Sequence, residues 1–548
     1  MKNIDIWVIL IFSALIFVCG LAFSKTGKNM KSYFAAGGAL PWWMSGLSLF
    51  MSFFSAGTFV VWGSIAYKSG WVAVSIQWTM AIAGILIGFF IAPKWRKTNS
   101  LTVAEYITNR YGFKIQKTYT YLFLLTSLFT TGAFLYPVAK IVEVSTGIPI
   151  YTSIISLGIL ILIYTAVGGL WAVIVTDVLQ FVVLTAVVII IVPLAFDKIG
   201  GVGQFIELSP DAFFNLVNEE YSIAFIIAFG LYNLFFLAGN WAYVQRYTSV
   251  ATPKDAQKVG WLFGALYVIS PLFWMLPPMI YRILNPNLDG VESEGAYLLM
   301  CKEVLPAGML GLMLVGMIFA TSSSVNTTLN IAAGVFTNDL FKHFKPQASD
   351  AQLMRVGKTA TVVLGLITIG VALVVPLLGG VVNFVLSLAA VTGGAMFLPP
   401  LWTIFSKKQT GTSMLSVTLI TLLITGFFKF LAPQLLDITL SRSAEMILGV
   451  AVPMVLMLVS EFYLIQTNPS QDTYEAYVQK TAIGENVYED DSDGSNKKGG
   501  RVIGIGVALT GALILSLEFI STILISIVVG VGAAVCLLGI FIVYKNKE

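Results

Sequence analysis

Charge is what this chain has least of. Of its 548 residues only 11% are Asp, Glu, Lys or Arg, while 57% are apolar. A soluble domain carries about 25% charged residues, so this chain cannot clothe a water-facing surface of its size. A mean hydropathy of +0.86 agrees. Histidine and cysteine are nearly missing too: one His and three Cys leave no His/Cys metal cluster and no disulfide framework. Cys19 and Cys536 sit inside apolar runs, where a thiol is a small hydrophobe. No polar stretch is long enough for a soluble catalytic domain. The composition describes a polytopic membrane protein.

A lipid-spanning helix needs about 20 mostly apolar residues. On that rule the chain divides into about 15 spans, near 4–24, 42–67, 71–95, 117–140, 150–170, 172–196, 222–244, 259–281, 307–336, 357–378, 380–405, 411–431, 444–465, 502–518 and 521–543. The first is read as a span and not a secretion signal, being longer than the usual apolar core of ~7–15 residues and lacking a small-residue cleavage pattern. With the N-terminus outside, 24 of the 32 Lys and Arg face the cytoplasm, from Lys25 through Arg96, Arg110, Arg246 and Lys408 to Lys547. That bias sets the orientation and leaves the C-terminus inside. The acidic stretch 467–501, with Glu489, Asp490, Asp491 and Asp493, reads as a flexible cytoplasmic linker to two added helices.

Function in such a chain lies where polar residues enter the membrane. In the second span, Ser52, Ser55, Gly57 and Thr58 gather small and hydroxylated residues. Either the helix unwinds there and frees carbonyl oxygens toward a cavity or ion, or the stretch is a packing face. The seventh span carries Gly230, Asn233, Gly239 and Asn240, and it begins five spans after the second. Two interrupted helices at that offset point to an inverted repeat with a binding site between them at mid-membrane. In the ninth span most side chains from Thr321 to Asn330 bear a hydroxyl or an amide, with Ser323, Asn326, Thr327 and Asn330 on one face. Ser and Thr can satisfy themselves on their own helix, but this density argues for a polar surface facing a cation. Asp177 is a carboxylate about two turns inside the sixth span, able to reach water, ligate a cation or accept from a neighbouring helix. Neutral oxygens with one carboxylate suit a hard cation. Only Asp177 could serve as a proton-coupling centre, so sodium is the expected ion.

The chain resembles the sodium/solute symporter family across about residues 25–465. The match is carried by Gly168-Gly169 with Ala172-Val173, Thr176-Asp177 and Gln180; by Ser32-Tyr33-Phe34 with Gly37-Gly38; by Thr102 to Glu105-Tyr106 and Arg110-Tyr111-Gly112; by Val244-Gln245-Arg246 and Asp255-Ala256; and by the serine stretch with Phe336-Thr337-Asn338-Asp339. The resemblance implies an all-α, leucine-transporter-like core of five-plus-five inverted repeats, built from 42–196 and 222–405. The remaining parts would be 1–41, added spans in 406–466, the linker 467–501 and helices in 502–548. It implies a sodium site formed by the carbonyls of Met51, Phe54 and Ala320 and the hydroxyls of Ser323 and Ser324. Members similar to sialic acid transporters imply a second sodium at Ser323, Asn326, Thr327 and Asp177, with Asn326 and Thr327 standing where those members have serines. The solute positions would be Thr58, Gln77 and Tyr267, where galactose symporters place Gln, Glu and Lys, together with Asn233 and an inner aromatic gate at Phe236. Phe53 stands where the proline members have an acidic residue.

The function expected from this resemblance is sodium-coupled uptake of a small organic solute such as a sugar, sugar acid or amino acid. The transporter would sit in the plasma membrane and work as a monomer, with no organic cofactor and no nucleic-acid partner. The alternatives are a membrane sensor of the same fold, a proton-coupled symporter, and a membrane-embedded enzyme. For an enzyme, His343 has no evident partner in the sequence.

Overall fold

The computed structural model describes residues 2–21, 40–100, 102–165, 170–467, 471–482, 492–520 and 526–546. Ser32-Tyr33-Phe34, Gly37-Gly38, Gly168-Gly169 and Glu489-Asp490-Asp491 lie outside them, as do the side chains of Asn330, Asn338, Asp339, His343 and Asp493. All the described regular structure is helical. Eleven helices are long and apolar enough to cross a bilayer, or up to 12 if one pair bent by 60° counts as a single span. Two shorter apolar helices, Asn3–Cys19 and Ile150–Leu162, add to these. The second segment is itself broken, into Trp42–Met51 and Thr58–Ser69. Each of the fifteen apolar segments is therefore represented by helix among the described residues, but four of them are shortened or broken.

Helices approach most closely where glycine removes the Cβ. In Val72–Lys97 and Pro253–Leu284 the pairs Gly84/Gly88 and Gly260/Gly264 face each other, and a Cβ on Gly260 would lie 2.6 Å from the Gly88 nitrogen. This is small-xxx-small packing, which brings backbones together without a hydrophobic driving force from water. The closing hairpin of Ser492–Ile520 and Ser526–Lys545 uses the same device: a Cβ on Gly539 would meet the Ala508 nitrogen at 2.2 Å. Large apolar side chains such as Phe89, Leu125, Leu366, Leu423 and Phe462 remain exposed, as a lipid-facing surface requires.

One expectation changes. The stretch 467–501 is not linker throughout: Gln471–Ala482 is a helix lying against Val103–Tyr111, with the Tyr477 ring edge-on to Tyr106 at 5.9 Å. Asp177 also has a counterpart as a buried carboxylate. Asp5, near the start of the first helix, accepts from the amides of Gly308 (2.8 Å) and Gly311 (3.2 Å) and so caps the ninth helix. An anion is favoured there by the helix dipole and the orphan amides of the first turn.

Candidate ion and solute site

The second segment breaks because its amides find other partners. In a continuous helix the amides of Ser55, Ala56 and Thr58 would bond the carbonyls of Met51, Ser52 and Phe54. Instead the Ser55 amide donates to Phe53 O at 3.0 Å and the Thr58 amide to Ser55 O at 3.0 Å. The Ala56 amide crosses to the ninth helix and donates to Thr321 Oγ1 at 3.0 Å. The Thr58 hydroxyl donates to Phe53 O. The carbonyls of Met51, Ser52 and Phe54 are thereby released from their helical donors, and Ser324 Oγ lies 3.5 Å from one of them, Ser52 O, and 3.5 Å from Ala320 O. The seventh segment breaks differently. Asn240 leaves helical geometry (φ −69°, ψ 130°) and its side chain caps the next helix by accepting from the Ala242 amide at 3.0 Å.

Much of the ninth helix's polar density is turned inward on itself. Thr321, Ser322 and Thr328 donate to Met317 O (2.9 Å), Ile318 O (2.6 Å) and Ser324 O (3.0 Å). Ser323 and Ser324 instead face other segments. Ser323 Oγ donates to Asp177 Oδ1 at 2.7 Å, and Ser48 Oγ donates to Asp177 Oδ2 at 2.6 Å. Asp177 is only 2% exposed, so it does not reach out to water; it is an acceptor shared by two neighbouring segments. Of its expected companions, Asn326 is buried and Thr327 half-buried on the same helix. Arg246 lies beyond Ser48, with Nη2 donating to Ser48 Oγ at 3.4 Å.

The five expected solute positions share one wall system. Thr58, Gln77, Asn233, Phe236 and Tyr267 all line a cavity of about 130 Å³. Aromatic faces from Phe53, Trp62, Phe229, Tyr232 and Phe397 enclose it further. Tyr232 and Phe236 stack at 5.4 Å, and Phe53 meets Phe236 edge-on at 6.1 Å. Asn233 Nδ2 donates to Thr79 Oγ1 at 2.8 Å, which turns the amide oxygen to the remaining space. Among the described residues no Asp, Glu, Lys, Arg or His lines this cavity. Ser55, Gly57 and Thr58 border it on one side of the break, while Ser52 O meets Ser324 on the other.

Two members of this cluster escape a reading of the sequence. Ser48 is one of two serines in an apolar helix. Arg246 counts as a loop cation when the seventh span is ended at 244, whereas the bend at Asn240 carries Trp241–Thr248 back into the protein and leaves Arg246 2% exposed. The signal that could have found it is Asn240 itself, a capping residue inside an apolar run.

Against known proteins, residues 33–420 match the model of the sodium:solute symporter family. A sodium/glucose cotransporter of Vibrio parahaemolyticus is 30% identical over 416 residues, which is 69% of this chain and 76% of the relative. The sodium/sialic acid symporter NanT of Aliivibrio fischeri is 28% identical over 367 residues, 64% of this chain and 72% of the relative. A solved sodium-coupled sialic acid symporter in a substrate-bound outward-open state shares the fold, with a TM-score of 0.70 at 22% identity over 84% of this chain and 98% of that one. The chain belongs to the sodium:solute symporter family: it is a multi-pass membrane protein that couples sodium to a small solute, a transporter and not an enzyme.

Proposed function

We propose that the coupling sodium is held by the carbonyls of Met51, Phe54 and Ala320 and the hydroxyls of Ser323 and Ser324, and that the solute is a neutral polyhydroxylated molecule such as a hexose or inositol. The ion assignment rests on the released carbonyls at the break and on Ser324, whose hydroxyl faces it. Ser323 gives its proton to Asp177, so its oxygen lone pairs remain for a cation. Asp177 is then a positioning residue for that hydroxyl. Ion and solute communicate because the same broken stretch borders both: an ion drawing the carbonyls together orders Ser55, Gly57 and Thr58 at the cavity. Alternating access would follow from motion of this segment and its counterpart in the second repeat, with repeats at 42–196 and 222–405.

The observation that carries the solute class is a cavity with aromatic faces, amides and hydroxyls and no charged side chain. A carboxylate or ammonium entering it would lose hydration without an ionic partner, which is costly. Hydroxyls, by contrast, find Gln77, Asn233, Thr58 and Tyr267, and the apolar face of a sugar ring finds the aromatics. A sodium/glucose relative fits this better than a sialic acid relative. One sodium suffices for concentrative uptake: 100 mV and a tenfold gradient together supply about 3.7 kcal/mol, enough for about a 500-fold solute gradient. The orientation is N-terminus out in the plasma membrane, by the distribution of basic residues, with the monomer as the working unit.

The test is uptake into proteoliposomes under an inward sodium gradient, with choline replacing sodium as the control. Hexoses or inositols should accumulate, and sialic acid and zwitterionic amino acids should not. Uptake of a charged solute with no uptake of any neutral polyol overturns the solute assignment.

A further inference from the structure

We infer that Thr79, which stands behind the cavity wall and does not line it, fixes Asn233 as an acceptor, so that the solute is chosen by a hydroxyl that donates to Asn233 Oδ1. The inference rests on the solute class proposed above.

A side-chain amide can offer a solute its oxygen or its N–H groups, and the partner at its back decides which. Thr79 Oγ1 lies 2.6 Å from Ile76 O and 2.8 Å from the Asn233 amide. A carbonyl has no proton to give, so a contact of 2.6 Å with one places the threonine's proton between them. Only lone pairs of Oγ1 then remain for Asn233, and the end of the amide that meets them is the N–H end. The order runs one way, from Asn233 N–H to Thr79 Oγ1 and from Thr79 O–H to Ile76 O, and it leaves Asn233 Oδ1 for the cavity. Asn233 and Thr79 are 3% and 4% exposed, so bulk water does not compete for either bond. The Thr79 methyl packs over Gly230, one turn before Asn233, 3.7 Å from where a Cβ would stand, and this leaves its hydroxyl on the side of Asn233.

The threonines of the cavity wall are committed in the same sense. Thr58 gives its proton to Phe53 O, Thr126 to Leu122 O (3.0 Å), Thr130 to Thr126 O (3.0 Å) and Thr392 to Leu388 O (2.7 Å). With those protons bound to the chain itself, each of these oxygens turns lone pairs to the cavity. Gln77 and Tyr267 supply donors on the same wall. A solute carrying several O–H groups matches such a lining. One that presents ether, carbonyl or fluorine atoms in their place sets acceptor against acceptor and forfeits the bond. Thr79 is a positioning residue in this scheme: it meets no solute and acts through Asn233.

The experiment measures KM and maximal rate for sodium-driven uptake of glucose and myo-inositol, with their monodeoxy and monodeoxyfluoro derivatives, into proteoliposomes holding the full chain. Fluorine fills the place of a hydroxyl but cannot donate. In the wild type one position should lose about tenfold in KM when its hydroxyl is removed, and as much when fluorine replaces it. Thr79→Val keeps the shape and frees the amide to turn. It should raise KM for the parent solute by about tenfold at unchanged maximal rate, and abolish the penalty at that one position. Thr79→Ser, which keeps the oxygen, should restore both. A penalty that persists in Thr79→Val, with KM raised alike for every derivative, would make Thr79 a packing residue and overturn the inference. Fluorine accepted like hydroxyl at every position also overturns it, and that comparison needs only the wild type if Thr79→Val does not fold. Failure of both glucose and myo-inositol to accumulate in the wild type strikes the solute class on which the inference rests.

Discussion

The helix that opens at Ser52–Gly57 and the helix that bends at Asn240 lie five segments apart and are bent by different means. At Asn240 the break is closed on both sides: the residue caps its own downstream helix, and the carbonyl freed upstream, Ala238 O, accepts from Trp95 Nε1 at 2.7 Å. At Ser52–Gly57 the break depends on a neighbour, because the Ala56 amide is taken by Thr321 on the ninth helix. A break whose freed carbonyl finds a protein donor can serve as a fixed elbow. A break whose amides are held elsewhere leaves carbonyls without donors, and such oxygens are stable only facing an ion, a hydroxyl or water. The difference separates a structural bend from a responsive one, and with the sodium site proposed above the ion-sensing element is the one opened at Ser52–Gly57.

The largest effect should come from cutting the tie that holds the responsive break open. Thr321→Val keeps the shape but removes the acceptor of the Ala56 amide. The amide is then either buried without a partner, at a cost of about 1–3 kcal/mol, or returns to Ser52 O and closes the break. In both cases the sodium concentration for half-maximal uptake should rise by well over tenfold. Unchanged sodium dependence in proteoliposomes would show that Thr321 does not hold the break. Ser324→Ala should act less strongly, removing one uncharged oxygen and raising half-saturation by about tenfold, or ~1.4 kcal/mol; an unaltered sodium curve excludes Ser324 as a ligand. Asn240→Ala should do the reverse. It loses a helix cap worth about 1 kcal/mol of stability, visible as a lower melting temperature in detergent. Its sodium half-saturation should stay at the wild-type value, and a sodium shift as large as that of Ser324→Ala would erase the distinction between the two breaks.

How much of this was legible in the sequence follows the same division. Helices and their order are written in apolar runs of about 20 residues, and the Asn240 break is written in one capping residue. The solute positions, carried over from a family resemblance, do line one cavity. Partners distant in the chain are not written locally. Nothing near Ser48 announces Asp177, 129 residues on, and nothing near Asp5 announces the Gly308 amide, 303 residues on. The helix Gln471–Ala482 was hidden for a related reason: its composition is polar, and its docking rests on Tyr474 and Tyr477 meeting Val103–Tyr111. Arg246 was misread because a boundary drawn from hydropathy cannot tell a helix that ends from one that turns back inside.

The smallest effect should come from a contact that belongs to neither break. Glu294, between the eighth and ninth spans, is 4% exposed and accepts from the Val381 amide at 2.8 Å and the Tyr136 hydroxyl at 3.0 Å. It seats on the first residue of the eleventh span, beside Gly380, where φ is +93° and a Cβ would lie 2.3 Å from Glu294 Oε1. Burial pushes its carboxyl above the usual range, while the Val381 amide, Tyr136, Lys140 and Lys68 pull it back only in part. A carboxyl whose folded pKa is raised keeps its proton longer than the unfolded chain does. As pH climbs from the ordinary Glu value of about 4.3 toward the raised one, folded protein therefore binds more protons than unfolded protein, and stability falls across that window. Glu294→Gln cannot titrate, so the fall in melting temperature over that interval, about 2 °C or less in a chain this large, should flatten. Sodium half-saturation should not move, because the clasp touches neither the Ser324 side of the first break nor Asn240. An unchanged pH slope would mean that Glu294 is ionised in both states, and a shifted sodium curve would mean that the Glu294 clasp reports to the responsive break after all.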